Sequence, residues 1–200
     1  SGTIYATYKR IPHPAGAGIR DDTLRAGAAR QVLRVAVDLA IRGRRRRLTD
    51  LRMHSPLPPQ MHVFVRDWLS ANNILLKSRD GHVLIDSGYV SHAPLTLALL
   101  ASPRGLADEP LAKLVNTHGH SDHIGGNATV RAKYGCPIAF PAAEAPLIER
   151  WDERALWLSW ADQTADRFTV DELLQPGSTH VWGDLEWQLF AAPGHDMGAL

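Results

Sequence analysis

From residue 61 onward, short apolar runs alternate with polar punctuation at a pitch that predicts strands. "MHVFVRDW" (61–68) and "NILLKS" (73–78) are rich in β-formers, and Arg79-Asp80-Gly81 makes a turn into "HVLIDSG" (82–88). A helix is expected from Pro94 to about Ala101. "LAKLVNT" (111–117) reads as a buried strand, "GGNATVRAKYG" (125–135) as a helix closed by Gly135, and "CPIAFP" (136–141) as a further strand. Residues 143–163 read as helical, and "THVWGDLEWQLFAAPGH" (179–195) as a hairpin turning at Gly183-Asp184. Strands with interspersed helices predict an α/β or α+β layered fold.

The pattern upstream is different. "DDTLRAGAARQVLRVAVDLAIRG" (21–43) carries an apolar stripe of Leu24, Ala28, Val32, Val35 and Leu39 and predicts a helix. "RGRRRR" follows at 42–47. Residues 1–52 hold 12 Lys and Arg against 4 Asp, whereas residues 53–200 hold 10 basic against 17 acidic residues, so the formal net charge of +1 conceals two opposed halves. The proline-rich "SPLPP" (55–59) lies near that change. It divides the chain into a basic, partly helical extension (1–55), a linker (56–60) and a main domain (61–200). The arginine run reads as a solvated tail, because no aromatic residues interleave with it as nucleic-acid binding favours.

Two hundred residues with 44% hydrophobic content suffice for one real core. No apolar stretch approaches the roughly 20 residues of a membrane span. The single cysteine, Cys136, excludes an internal disulfide and reads as a small core residue. With no signal-peptide pattern at the start, it leads to a cytoplasmic expectation.

The candidate chemistry is concentrated in "NTHGHSDHIGGN" (116–127), where His118, His120, Asp122 and His123 fall within six positions. In a loop leaving a strand, residues two apart can point the same way, so His118 and His120 can converge on one cation. Asp122 and His123 can hold a second. Neutral imidazole and carboxylate suit Zn²⁺. Gly119 removes a side chain between the first two ligands, and Gly125-Gly126 lets the backbone pass close to the site. Ser121 reads as a loop residue, not a nucleophile. His13, His54, His62, His82, His92 and His180 read as packing or surface residues.

"THGHSDHIGGN" resembles the metal-binding signature of the metallo-β-lactamase superfamily. "HVLIDSG" resembles the strand and turn before it, and "APGHDMGAL" (192–200) resembles the next metal-binding motif. Order and spacing agree over residues 61–200. The resemblance implies an αββα sandwich with metals at one edge. His118, His120 and His195 would bind the first metal, Asp122 and His123 the second, and Asp86 would orient a ligand histidine from behind. The family continues with an aspartate bridging both metals and a further histidine. The chain ends at Leu200, so the sandwich is expected to be incomplete at the C-terminus, to have a weak second site, and to self-associate through its open face.

The resemblance, together with this ligand set, implies a metallohydrolase with one or two Zn²⁺ ions acting on a small carbonyl substrate: an ester, thioester, lactone or lactam. A zinc-bound water has a pKa of about 7, and Asp122 can orient it for attack. An iron-dependent oxygenase of the same fold and a catalytically incomplete binding module are the alternatives. Trp151, Trp157 and Trp160 lie between the two metal motifs. At that spacing they read first as core; lining the site, they would favour an apolar acyl or ring substrate. The acidic balance of residues 53–200 argues against nucleic acid.

Overall fold

The computed structural model describes residues 57–66 and 70–200 in full, and upstream of them the backbone of two strands, β1 (Tyr5–Arg10) and β2 (Val32–Arg34). A six-stranded sheet runs in chain order: β3 (Met61–Phe64), β4 (Asn73–Leu76), β5 (His82–Ile85), β6 (Leu111–Val115), β7 (Ile138–Pro141) and β8 (Glu172–Leu174). β3, β4 and β5 are antiparallel, whereas β5 to β8 are parallel. Parallel neighbours need crossover connections. The crossovers carry α1 (Ala93–Ala101), then α2 (Ser121–Ile124) and α3 (Asn127–Tyr134), then α4 (Ala145–Arg150).

All four residues of β5 and of β7 are buried, which explains their unbroken apolar character: both faces of these strands are covered. Leu75, Leu84, Leu114, Ile138 and Phe140 pack with Leu100, Ile124, Val130 and Ile148 of the helices. Leu76, Val83, Ile85, Val115 and Ala139 face the other way, toward Trp182, Leu185, Trp187 and Leu189. Those last four belong to the hairpin β9 (Thr179–Trp182) and β10 (Leu185–Leu189), part of a second sheet ordered β2-β1-β10-β9. β10 alternates cleanly, with Leu185, Trp187 and Leu189 buried and Glu186 and Gln188 exposed. The described residues thus form three layers of the expected sandwich: helices, sheet, sheet.

Strand and helix expectations from 61 to 141 agree with the structure to within a few residues at the ends. Gly135 closes α3 in the left-handed conformation, φ 68°, with its N–H donating to Arg131 O. Two expectations need correction, and one strand was not anticipated. The helical stretch at 143–163 is only α4; Trp151 takes a left-handed φ of 53°, and turns occupy 153–162. Asp152 Oδ1 accepts the Ala155 N–H there, the local bond by which Asp favours a turn over a helix. The strand β8 had no signal, being three residues long with Leu173 pointing outward at 55% exposure. Finally, Val32–Arg34, inside the expected helix at 21–43, form β2, where ladder bonds to β1 override helical periodicity. The rest of that helix, the arginine run, His13 and His54 lie outside the described residues. β1 pairs with β10 from Ala6↔Leu189 to Arg10↔Leu185, so these residues of the basic segment belong to the second sheet.

No helix among the described residues is long and apolar enough to cross a membrane. Cys136 is a buried core thiol, and burial pushes its pKa up.

Candidate metal centre

The parallel strands β5, β6 and β7 all end at one edge of the sheet, and each delivers polar residues just past its last position. Asp86 follows β5, Asn116 to His120 follow β6, and Glu144 comes three residues after β7. An open parallel sheet places its ligand crevice at these carboxyl ends. The loop after β10 brings His195 to the same place.

His118 Nε2 lies 3.2 Å from His120 Nδ1, which lies 3.0 Å from His195 Nε2. Ligand nitrogens of the three imidazoles fall within 4.8 Å of one another, and His118 and His120 are buried. The outward nitrogens of His118 and His120 are occupied. His120 Nε2 donates to Asp196 Oδ2 at 3.2 Å. Thr117 Oγ1 donates to Asp86 Oδ2 at 2.9 Å, leaving its lone pair for His118 Nδ1 at 3.1 Å. With their protons held outward, His118 Nε2 and His120 Nδ1 turn bare lone pairs toward the centre, the tautomers that metal ligation requires. Burial, reinforced by the neighbouring imidazoles, lowers the His118 pKa to about 2 and lowers that of His195 as well. Both stay neutral and available as ligands. The three residues therefore fit a tetrahedral metal with one open position.

His123 is oriented differently. Its Nδ1 donates to Asp86 Oδ2 at 2.7 Å and its Nε2 lies 3.5 Å from Asp122 Oδ2. Burial opposes its charge, but the Asp86 carboxylate outweighs burial and holds the His123 pKa above its ordinary value. Asp122 and His123 form a pair beside the three-histidine group, not part of it. Asp86 is buried at φ 57°, a backbone that Asp tolerates better than most residues, and it also accepts the Thr117 N–H at 3.0 Å. Behind it, Asn116 Nδ2 donates to His123 O and Asn127 Nδ2 to Asn116 Oδ1, while Ser87 Oγ donates to Asn127 Oδ1.

Several of these supports were not singled out in the sequence: Thr117, Asn116, Asn127, Ser87 and Glu144. Asp196, next to His195 in the chain, holds His120, and hydrogen bonding from His120 keeps the Asp196 pKa low. Gly125 and Gly126 pack against the 87–90 turn: a Cβ at Gly125 would lie 2.3 Å from Val90 N, and one at Gly126 2.8 Å from Ser87 O. Ser121, expected in a loop, instead lies buried at the start of α2. Of the tryptophans, Trp151 is core, edge-on to Phe168, whereas Trp157 stacks on the His120 ring at 4.2 Å and meets Trp160, which is 75% exposed.

The sequence profile of the metallo-beta-lactamase superfamily matches residues 66–199. The chain belongs to this superfamily. Among curated relatives, it is 27% identical over 90 residues to a hydroxyacylglutathione hydrolase of Bdellovibrio bacteriovorus, covering 45% of this chain and 28% of that protein. A hydroxyacylglutathione hydrolase of Hyphomonas neptunium is 29% identical over 90 residues with the same coverage. Among solved structures, a metallo-beta-lactamase with a HARLDQ motif from Cronobacter sakazakii superposes with a TM-score of 0.60 at 27% identity, covering 72% of this chain and 56% of that one. The metallo-beta-lactamase MIM-1 of Novosphingobium pentaromativorans gives 0.53 at 30% identity, over 64% and 47%. The chain thus spans about half the length of these superfamily structures and 28% of the curated relatives. Within the superfamily profile fall all the residues of the three-histidine centre and its Asp86 support.

Proposed function

We propose that this chain carries the first metal site of a zinc-dependent hydrolase acting on a small carbonyl substrate. The observation that carries this reading is the convergence of the inward nitrogens of His118, His120 and His195, with the outward nitrogens of His118 and His120 bound to oxygen. Three imidazoles with no carboxylate among them suit Zn²⁺ better than the mixed His and carboxylate set of iron oxygenases. A bound zinc ion would supply a water acidic enough to ionise near neutral pH.

The chain's own residues account for the rest. Asp122, 3.5 Å from His123, would accept a proton from the attacking water and orient it. Asp122 and His123 would contribute to a second metal. Trp157, stacked on His120, and the exposed Trp160 give the site an aromatic wall. Such a wall favours an acyl chain or ring over a polyanion. Hydrolysis of a thioester, as in the hydroxyacylglutathione hydrolases named above, and of a lactam are both compatible with this geometry.

The test is metal analysis followed by turnover. The purified chain should retain one zinc, and His120→Ala should lose most of its zinc affinity in a competition titration. Zinc-loaded protein should cleave activated esters or thioesters, with the rate abolished by a chelator and restored by Zn²⁺. Equal zinc affinity in wild type and His120→Ala would contradict the assignment.

A further inference from the structure

Glu144 is a carboxyl group in an unusual place. It is 2% exposed, makes no ion pair among the described residues, and stands directly behind the loop between the first two ligand histidines. Its Oε2 accepts the backbone N–H of Gly119, the residue between His118 and His120. On its other side stands the loop that carries His195. A Cβ at Gly198 would lie 2.5 Å from Glu144 Cγ and 2.8 Å from Oε1, so that loop can approach only because position 198 has no side chain. A Cβ at Gly119 would likewise lie 2.8 Å from Oε2. The carboxyl is thus held between two glycines, one in each metal-bearing loop. Oε1 is buried without a hydrogen-bond partner.

The two loops are 75 residues apart in sequence, between His120 and His195, and belong to different sheets. Direct backbone contact between them is sparse: Leu200 N donates to Thr117 O at 3.1 Å. A ligand nitrogen from one loop must nevertheless stand about 2 Å from the same ion as a nitrogen from the other. Something must fix their separation.

We propose that Glu144 is a positioning residue of the metal centre, a polar spacer that fixes the His118–His120 loop against the His195 loop. It acts through the Gly119 N–H on one side and by contact with Gly198 and Asp196 on the other, and touches no ligand nitrogen by any hydrogen bond of its own. The inference rests on the reading of His118, His120 and His195 as metal ligands. Burial, then the neighbouring Asp196 carboxylate, pushes the Glu144 pKa up to about 9, so at neutral pH the spacer is uncharged. An uncharged acid can stand beside Asp196 without repelling it, and Asp196 is thereby left free to hold His120. An amide would do the same work; an alkyl side chain of similar size would leave the Gly119 N–H unsatisfied.

The test uses the 200-residue chain with Zn²⁺ or Co²⁺ alone as probe. Metal affinity is measured by competition with a chromophoric chelator, and ligand geometry by the visible spectrum of the cobalt form. Glu144→Gln should bind within about threefold of wild type with the same cobalt spectrum. Glu144→Leu should bind at least tenfold more weakly, with a shifted spectrum and native far-ultraviolet dichroism. Glu144→Ala, which opens space and creates no clash, is measured beside it so that misfolding of one variant leaves the other to decide. Wild-type affinity and spectrum in the alkyl variants would overturn the proposal, as would a Gln variant as weak as Leu. Failure of the wild-type chain itself to bind either metal would instead overturn the three-histidine reading, a result distinct from the first two.

Discussion

Asp86 and His123 form the pair on which most of the local electrostatics turns. Both are at least largely buried and 2.7 Å apart, and removing one member leaves an uncompensated group in a low-dielectric site. Asp86→Asn should therefore cost about 3 kcal/mol of stability, measured by urea unfolding of the zinc-free protein. Because the folded His123 pKa is raised, its contribution is fully present below its ordinary pKa of 6.5 and is lost as pH rises through the folded value. A proton NMR titration in chelator should show that raised value in wild type and its disappearance in Asp86→Asn. An unchanged His123 titration would separate the two residues. Glu144 acts in the opposite sense to an ordinary carboxylate. Its folded pKa of about 9 lies above the ordinary 4.5, so between those values the folded chain holds a proton that the unfolded chain has released. Stability should fall as pH rises through that window. In chelator, the melting temperature of wild type relative to Glu144→Gln should decline steadily from pH 5 to pH 9. A constant difference would mean that Glu144 is ionised throughout.

Among elements, α2 and the start of α3 decide whether the motif can sit where it does. The glycines after His123 are spacers between that segment and the 87–90 turn, with Gly126 N donating to Gly88 O at 3.0 Å. Gly125→Ala forces a methyl group to within 2.3 Å of Val90 N, which backbone must yield to accommodate. A loss of about 2–3 kcal/mol is expected, together with weakened zinc binding, because Ser87 and His123 are tied in the same place. Gly135→Ala is the control. It has nothing within 4 Å of the added methyl and a φ of 68°, so only backbone strain of about 1 kcal/mol is expected, with zinc affinity unchanged. Thermal melts and metal titrations of the two variants should diverge in this way; equal losses of zinc affinity would remove the distinction.

At the scale of the molecule, the second sheet depends on a strand from the basic segment. β1 covers one edge of β10, whose inward residues Leu185, Trp187 and Leu189 face the six-stranded sheet. Deleting residues 1–10 should bare that edge, lower the melting temperature and promote association through unpaired backbone groups. Replacing Arg44–Arg47 by serine should leave zinc content and melting temperature unchanged if that run is a solvated tail. Calorimetry and sedimentation of both variants would show it. A melting temperature unaffected by the deletion would mean that β1 adds nothing to the stability of the sheet.

The fold class and the histidines that could bind a metal were legible in the sequence because both are written locally. Strand alternation has a period of two whatever lies opposite, and "THGHSDH" places its imidazoles within a single turn of loop. Superfamily membership followed from the order of such local motifs. The residues that hold the ligands were not legible. Thr117 and Asn116 are ordinary polar residues until the sheet brings Asp86, 31 positions before Thr117, to their side chains, and Asn127 is one until Asn116 and Ser87 bond to it. Asp196 reads as a surface acid until His120 is found 3.2 Å away, and Glu144 as one more helix-flanking glutamate until two glycines close on it. Likewise the three tryptophans have equal claims in sequence, and only the turn at 151–162 puts Trp151 in the core and Trp157 on His120. The sequence by itself determined which atoms could bind a metal, since ligand chemistry is a property of the side chain. Tertiary structure alone decided which oxygens face His120 and His123, because Asp196 and Asp86 come from loops distant in the chain.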